Sequence, residues 1–256
     1  MGIFAPMYTL KKSLGQHFLN DEGISKKIVA AVREQPFHNL LEVGPGGGAL
    51  TKYLLQIPDI NFKAVELDEE KVIFLKATYP QLHNKIIHQS ILDIEPPFSE
   101  PFTVIGNFPY NISTEIVFKM LDWKAQVQRM VGMFQKEVAQ RLAAKEGSKV
   151  YGVTSVLTQA YFEVDYLFEV AETAFTPPPK VQSAVIRLTP QRIVPQMKSE
   201  AKFRMLVKAA FNQRRKTLRN AVKPYFEHEV LKKSVFDKRA EQLSVADFAA
   251  LSFDMQ

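Results

Sequence analysis

The sequence contains no cysteine, so neither a disulfide framework nor a thiolate metal site can be built from it. Histidine occurs only five times, and His17, His38, His83, His88 and His228 show no metal-ligand spacing. No nucleophile stands in a recognisable relation to a general base. No apolar run reaches the roughly 20 residues that cross a bilayer as a helix, and the opening residues lack the apolar core of a signal peptide. These absences exclude a disulfide-stapled module, a Cys/His zinc site and a helical membrane protein. The expected location is the cytosol.

What is present is an ordinary globular composition, with 46% hydrophobic and 23% charged residues over 256 positions. That length fits one α/β domain with an appendage. The net charge of +6 is unevenly placed. Residues 1–190 hold 19 Lys/Arg against 20 Asp/Glu, whereas residues 191–256 hold 14 against 7. The whole positive excess therefore lies in the last quarter, where a polyanion partner is the natural reading and a solvated basic face the plainer one.

Hydrophobic periodicity organises the chain. Asn20 or Asp21 is placed to cap a helix with Ile24, Ile28, Val29 and Val32 along one side. Strands are expected at 40–44, 62–67, 85–89 and up to Asn107, then at 127–134, 163–170 and 183–188. Helices are expected at 49–56, 69–79, 113–123, 136–144 and 151–162. Strands alternating with helices indicate a doubly wound, mostly parallel sheet closed by a final hairpin. Thr176-Pro177-Pro178-Pro179-Lys180 must be loop, because each proline lacks a donor and restricts its predecessor. After residue 190 only helical spacing remains. The expected domains are 1–190, α/β, and 191–256, a small all-α domain.

Gly44-Pro45-Gly46-Gly47-Gly48 lies between a strand and a helix, where glycines let backbone approach a ligand. Ala49 replaces the third glycine of the dinucleotide fingerprint, so the turn alone is a weak signal. Glu66 ends the next strand 22 residues after Gly44, where an acid accepts hydrogen bonds from ribose hydroxyls. Together they indicate an adenosine-bearing cofactor, either a nicotinamide dinucleotide or S-adenosylmethionine. Ser90 or Asp93, after the third strand, is placed to meet an adenine amino group or only to cap a turn.

Asn107-Phe108-Pro109-Tyr110 separates these cofactors. A nicotinamide enzyme has no use for it, whereas methyl transfer to the amino group of a base does. The exocyclic nitrogen of adenine is a poor nucleophile because its lone pair is delocalised into the ring. The Asn107 side-chain oxygen and the Phe108 carbonyl can accept its two N–H bonds, favouring a pyramidal nitrogen. Tyr110 can stack on the base, worth ~1–3 kcal/mol. Phe175 is placed either to cover the other face of an extruded base or to anchor its loop. Lys180 either touches phosphate or is solvated. Arg214, Arg215, Lys216 and Arg219 concentrate four cations in six residues, which suits phosphate neutralisation.

Several of these segments, in order, resemble the ribosomal RNA adenine N6,N6-dimethyltransferases. They are Leu14-Gly15-Gln16-His17-Phe18-Leu19, Glu42-Val43-Gly44-Pro45-Gly46, Glu66-Leu67-Asp68, Gly106-Asn107-Phe108-Pro109-Tyr110-Asn111-Ile112-Ser113, Phe175-Thr176-Pro177-Pro178-Pro179-Lys180-Val181 and Phe211-Asn212-Gln213-Arg214-Arg215-Lys216. The resemblance covers nearly the whole chain. It implies a seven-stranded Rossmann-like methyltransferase sheet, S-adenosylmethionine as donor, no metal and a monomer. It further implies dimethylation of two adjacent adenosines in the 3′-terminal hairpin loop of small-subunit rRNA, with a role in assembling that subunit. It assigns donor contacts to His17, Leu19, Gly44, Gly46, Glu66, Leu67, Ser90 and Asn107. The base site would be formed by Asn107, Phe108, Pro109, Tyr110 and Phe175, and RNA contacts by Lys180, Arg214, Arg215, Lys216 and Arg219. Phe108 stands where the family has Leu, and Ser90 where it has Asp. The rival readings are a large-subunit rRNA adenine methyltransferase of the antibiotic-resistance type and a mainly non-catalytic assembly factor.

Overall fold

The computed structural model describes residues 17–256, so Leu14, Gly15 and Gln16 of the expected N-terminal motif lie outside the described residues. The chain forms two compact units. The first runs up to Ala139 and takes in Asp165–Pro190; the second comprises residues 140–164 and 191–256.

The first unit is built on a seven-stranded sheet. Its strands are β2 (Asn39–Val43), β3 (Asn61–Glu66), β4 (Ile86–His88), β5 (Phe102–Asn107), β6 (Val127–Gln135), β7 (Phe162–Val170) and β9 (Ser183–Pro190). Their order is β4-β3-β2-β5-β6-β9-β7. Pairing is parallel from β4 through β6 and antiparallel between β6 and β9. All five residues of β2 are buried, as the central strand of a sheet covered on both faces requires. The order of strands reverses between β2 and β5. In an open α/β sheet, the crevice beyond the carboxyl ends at that reversal is the ligand site. Gly44 follows β2 there and Asn107 ends β5.

Helix α1 (Glu22–Arg33) starts where Asp21 accepts the Ile24 N–H, and buries Ile28, Val29 and Val32. The segment after the glycine turn is regular helix only in α2 (Thr51–Leu54), shorter than the spacing implied. Helices α3 (Glu69–Thr78), α4 (Ser113–Asp122) and α5 (Lys136–Ala143) follow β3, β5 and β6. A separate ribbon pairs β1 (Phe18–Leu19) with β8 (Phe175–Thr176), bringing Leu19 opposite Phe175.

The second unit contains no strand that lies wholly within it among the described residues. Its helices are α6 (Val153–Gln159), α7 (Glu200–Asn212), α8 (Leu218–Val222) and α9 (Val245–Leu251). The segment 140–164 packs with this unit, although the expected domain break lay only at 190. Tyr151 explains its position. Its buried ring meets Phe211 edge-on at 6.1 Å, and Phe211 in turn lies 5.9 Å from Phe248. Among the described residues, no helix is long and apolar enough to cross a membrane.

Candidate active site

The turn after β2 is formed by glycines that a side chain would strain. Gly44 and Gly46 adopt φ of +66° and +56°, in the left-handed region. Glu66 holds this turn from the end of β3. Its Oε2 accepts the Gly46 N–H at 3.1 Å, and its Oε1 accepts those of Leu67 and Asp68, each at 3.0 Å. One carboxylate thus ties the glycine turn to the start of α3.

Two clefts open on either side of this tie, sharing Gly44, Glu66 and Pro109. The first is lined by His17, Leu19, Gly46, Glu42, Asn107 and Tyr110 among others. The second has Leu67, Ser90 and Ile91 in its lining. Leu67 exposes 55% of its surface, an apolar face that folding leaves available. Ser90 lines this second cleft and accepts the Leu92 N–H through Oγ at 3.2 Å. Asp93 is exposed and does not line it, so of the two polar candidates Ser90 is the one in place.

Asn107 sits in the first cleft with Phe108, Pro109 and Tyr110. Its Nδ2 donates to the His17 carbonyl at 3.4 Å, which leaves Oδ1 as the free accepting end of the amide. The Phe108 N–H donates to the Met133 carbonyl at 3.2 Å, so the backbone here is clamped to β6. The Tyr110 hydroxyl meets Ser183 Oγ at 2.5 Å, and burial pushes the Tyr110 phenol above its ordinary value. Ser183 is fully buried at the start of β9 and thereby fixes the ring. The His17 ring stacks on Tyr110 with centroids 5.6 Å apart and 29° between planes, and its Nδ1 lies 2.9 Å from the Pro177 carbonyl.

Phe175 requires a correction. It is 2% exposed, belongs to the hydrophobic core and does not line the cleft. Of the two readings open for it, the structure supports the anchor. Pairing with Leu19 in the β1–β8 ribbon turns its ring inward. The rings that line the cleft beside Tyr110 include those of His17 and Phe18.

The cationic run also divides. Arg214 Nη2 donates to the carbonyls of Lys149 and Tyr151, both at 2.6 Å, holding the turn before α6. Arg219 donates through Nε to the Leu231 carbonyl at 3.0 Å and pairs with Asp237 at 2.6 Å. Both guanidinium groups are partly engaged within their own unit, while Arg214 stays exposed and Arg219 part-exposed. Lys180, Arg215 and Lys216 are exposed.

Sequence reasoning assigned no role to Glu42. It is 1% exposed, lines the first cleft and accepts a hydrogen bond from Thr51 Oγ1 at 2.7 Å. Burial pushes its carboxyl up to about 8; the Thr51 hydrogen bond opposes this, and the neighbouring Glu66 charge adds to it. The native state therefore holds a proton that the unfolded chain gives up above the ordinary value of 4.5. Stability contributed by this proton is complete below about 4.5 and is lost as pH rises through about 8. Denaturant unfolding at pH 5 and pH 8 checks this. Relative to Glu42→Gln, the wild type should lose on the order of a few kcal/mol across the window; parallel profiles would remove the neutral carboxyl from the account.

Residues 7–254 match the family described as Ribosomal RNA adenine dimethylase. The chain belongs to that family. The dimethylase is 50% identical over 246 residues to the Ribosomal RNA small subunit methyltransferase A of Cytophaga hutchinsonii, spanning 94% of this chain and 95% of that protein. It is 47% identical to the protein of the same name from Flavobacterium johnsoniae, spanning 94% of each. Among solved structures, the dimethylase shares its fold with a dimethyladenosine transferase from Plasmodium falciparum, with a TM-score of 0.75, 24% identity, and 91% and 94% of the two chains covered. It also shares it with the 23S rRNA methyltransferase ErmE, with a TM-score of 0.70, 23% identity, and 91% and 99% covered. One structural relative is named for 23S rRNA and the sequence relatives for the small subunit, so the fold alone does not select the target.

Proposed function

We propose that this dimethylase transfers methyl groups from S-adenosylmethionine to the N6 amino groups of two adjacent adenosines in the 3′-terminal hairpin loop of small-subunit rRNA. It would act as a monomer on the precursor particle, in the cytoplasm. The observation that carries the reading is the Asn107 amide. Anchored through Nδ2 to the His17 carbonyl, it keeps an acceptor at the cleft beside the Phe108 backbone and the Tyr110 ring.

The residues around the glycine turn fit the donor. Glu66 retains lone-pair capacity for ribose hydroxyls beyond its three backbone hydrogen bonds. Leu67 and Ile91 offer apolar surface, and Ser90 a polar contact, for adenine. When bound, S-adenosylmethionine would supply an electrophilic methyl on a sulfonium that leaves as the neutral thioether, and the nitrogen would give up one proton to solvent. The chain itself orients and polarises the acceptor. Asn107 Oδ1 and the Phe108 carbonyl take the two N–H bonds of the first round, directing the lone pair out of the ring plane. The proton leaves after the methyl arrives, so alignment and acceptor placement do the work without an ionised base. In the second round one N–H remains, and one acceptor must suffice.

RNA would be held by Lys180, Arg215 and Lys216. Replacing Arg215 and Lys216 together by Ala should flatten the salt dependence of RNA binding by about 0.7–0.9 in log–log slope for each phosphate no longer neutralised. Arg219→Ala should instead lower the melting temperature and leave the slope unchanged. Filter binding across salt concentrations separates them; an unchanged slope in the double variant would take this face out of the RNA site.

The substrate assignment is tested by incubating the protein and labelled donor with undermethylated small subunits, large subunits and naked rRNA, then mapping reverse-transcription stops. Stops in the small-subunit 3′ hairpin are expected. Label confined to large-subunit RNA would overturn the proposal.

A further inference from the structure

The Phe108 ring occupies a slot cut through two strands by paired glycines. Gly106 on β5 and Gly132 on β6 are register partners, so the faces they leave bare lie side by side. Residue 108 follows two places after Gly106, so its side chain projects from the same face of the sheet. Its ring is 1% exposed and lies across both vacancies. A Cβ built on Gly132 would stand 2.0 Å from Phe108 Cε2 and 2.8 Å from Cδ2. One built on Gly106 would stand 2.7 Å from Cε1 on the opposite edge. Phe134, two residues after Gly132, closes the slot with its ring at 5.0 Å and 61° to that of Phe108.

The same residue carries the carbonyl proposed above as an amino-group acceptor. Three constraints converge on its orientation. The N–H is clamped to the Met133 carbonyl at 3.2 Å. Pro109 holds residue 108 out of the helical region. The ring is seated between the two glycines. With the N–H and the side chain both fixed, the carbonyl has little freedom left.

We infer that Gly132, which lies outside every motif of the sequence, is a positioning residue that aims the Phe108 carbonyl at the acceptor nitrogen by giving the Phe108 ring its seat. This rests on the proposed role of Asn107 and Phe108 as the acceptor pair. Any side chain at position 132 must displace the ring. A displaced ring turns the carbonyl while leaving the glycine turn and Glu66 untouched. Gly106 is a poorer probe, because a Cβ there also meets the Val43 carbonyl of the backbone at 2.6 Å, whereas the further contact at position 132 is with the Phe134 ring, at 2.9 Å.

The test is a double-mutant cycle on the full-length protein with Gly132→Ala, Phe108→Leu and the two combined. Leu lacks Cε2, the atom 2.0 Å from the new Cβ; only a Cδ carbon, at 2.8 Å in Phe108, keeps a counterpart. Single-turnover methylation of undermethylated small subunits, S-adenosylmethionine affinity and melting temperature would be measured for each. Gly132→Ala should lower the transfer rate at least tenfold with donor affinity within threefold of wild type. Phe108→Leu should lower the rate more mildly, and the combined variant should recover to the level of Phe108→Leu alone. The combined variant keeps the test decisive should Gly132→Ala fold poorly. A Gly132→Ala rate within twofold of wild type, or a combined variant no faster than Gly132→Ala, overturns the inference. An inactive wild type would instead count against the proposed function.

Discussion

Replacing Asn107 by Ala is expected to lower the methyl-transfer rate at least a hundredfold while small-subunit binding stays within about threefold. Loss of one preorganised hydrogen-bond partner at a reacting centre costs ~10²–10³ in kcat, about 2.7 kcal/mol or more. In the proposed mechanism Asn107 contributes a side-chain acceptor that the Ala variant lacks. The Phe108 carbonyl is already assigned to the other N–H, and the Tyr110 hydroxyl is engaged by Ser183. RNA contacts proposed at Lys180, Arg215 and Lys216 do not pass through the amide. Pre-steady-state transfer and particle binding, measured on the same preparation, check the split. Wild-type-like transfer by the Ala variant would remove Asn107 from the chemistry.

Glu66→Gln is expected to weaken donor binding roughly a hundredfold, about 2.7 kcal/mol. The carboxylate satisfies three backbone N–H groups at 3.0–3.1 Å from one 7% exposed position. An amide offers one oxygen and one NH₂ group. The NH₂ must face either Gly46 or the Leu67–Asp68 pair, donor against donor. Keeping the two N–H groups of Leu67 and Asp68 sacrifices Gly46, and the glycine turn loosens. Hydrogen bonds to charged groups contribute ~1.5–3 kcal/mol each, so the melting temperature should also fall. Calorimetric titration with the donor measures the affinity directly; a loss of less than threefold would show that Glu66 only ties the turn.

Much of this site was legible because its parts sit where regular patterns stop. Two β-branched residues and a glycine running into Asn107-Phe108-Pro109-Tyr110 read as a strand ending at a chemical site, and β5 ends at Asn107. Glu66 was legible for the same reason at the end of β3. What escaped depends on contacts between distant segments. Phe175 reads as an aromatic at a loop entrance until its pairing with Leu19 turns the ring into the core. Arg214 and Arg219 read as free cations until the carbonyls of Lys149, Tyr151 and Leu231 are found against them. Glu42 did carry a signal, an acid inside the apolar run Leu40-Leu41-Glu42-Val43. Such a residue in a central strand must be neutral or paired. Gly132 carried none, since a glycine in a strand shows its purpose only when its neighbour's ring is in place.

The residues joining the helical unit from 140–164 illustrate the same limit. Their strand and helix periodicities are ordinary, and nothing local distinguishes them from the segments before and after. Tyr151 assigns them by packing on Phe211, sixty residues further along the chain.

In the proposed mechanism one acceptor pair serves two rounds of methylation on each of two adjacent adenosines. Nucleoside mass spectrometry of small-subunit rRNA after exhaustive reaction of undermethylated particles tests it most directly. Two N6,N6-dimethyladenosines per particle are expected, both within the 3′-terminal hairpin, with monomethyladenosine only transient. Accumulation of N6-monomethyladenosine as the end product, or dimethyladenosine elsewhere and none in that hairpin, would contradict it.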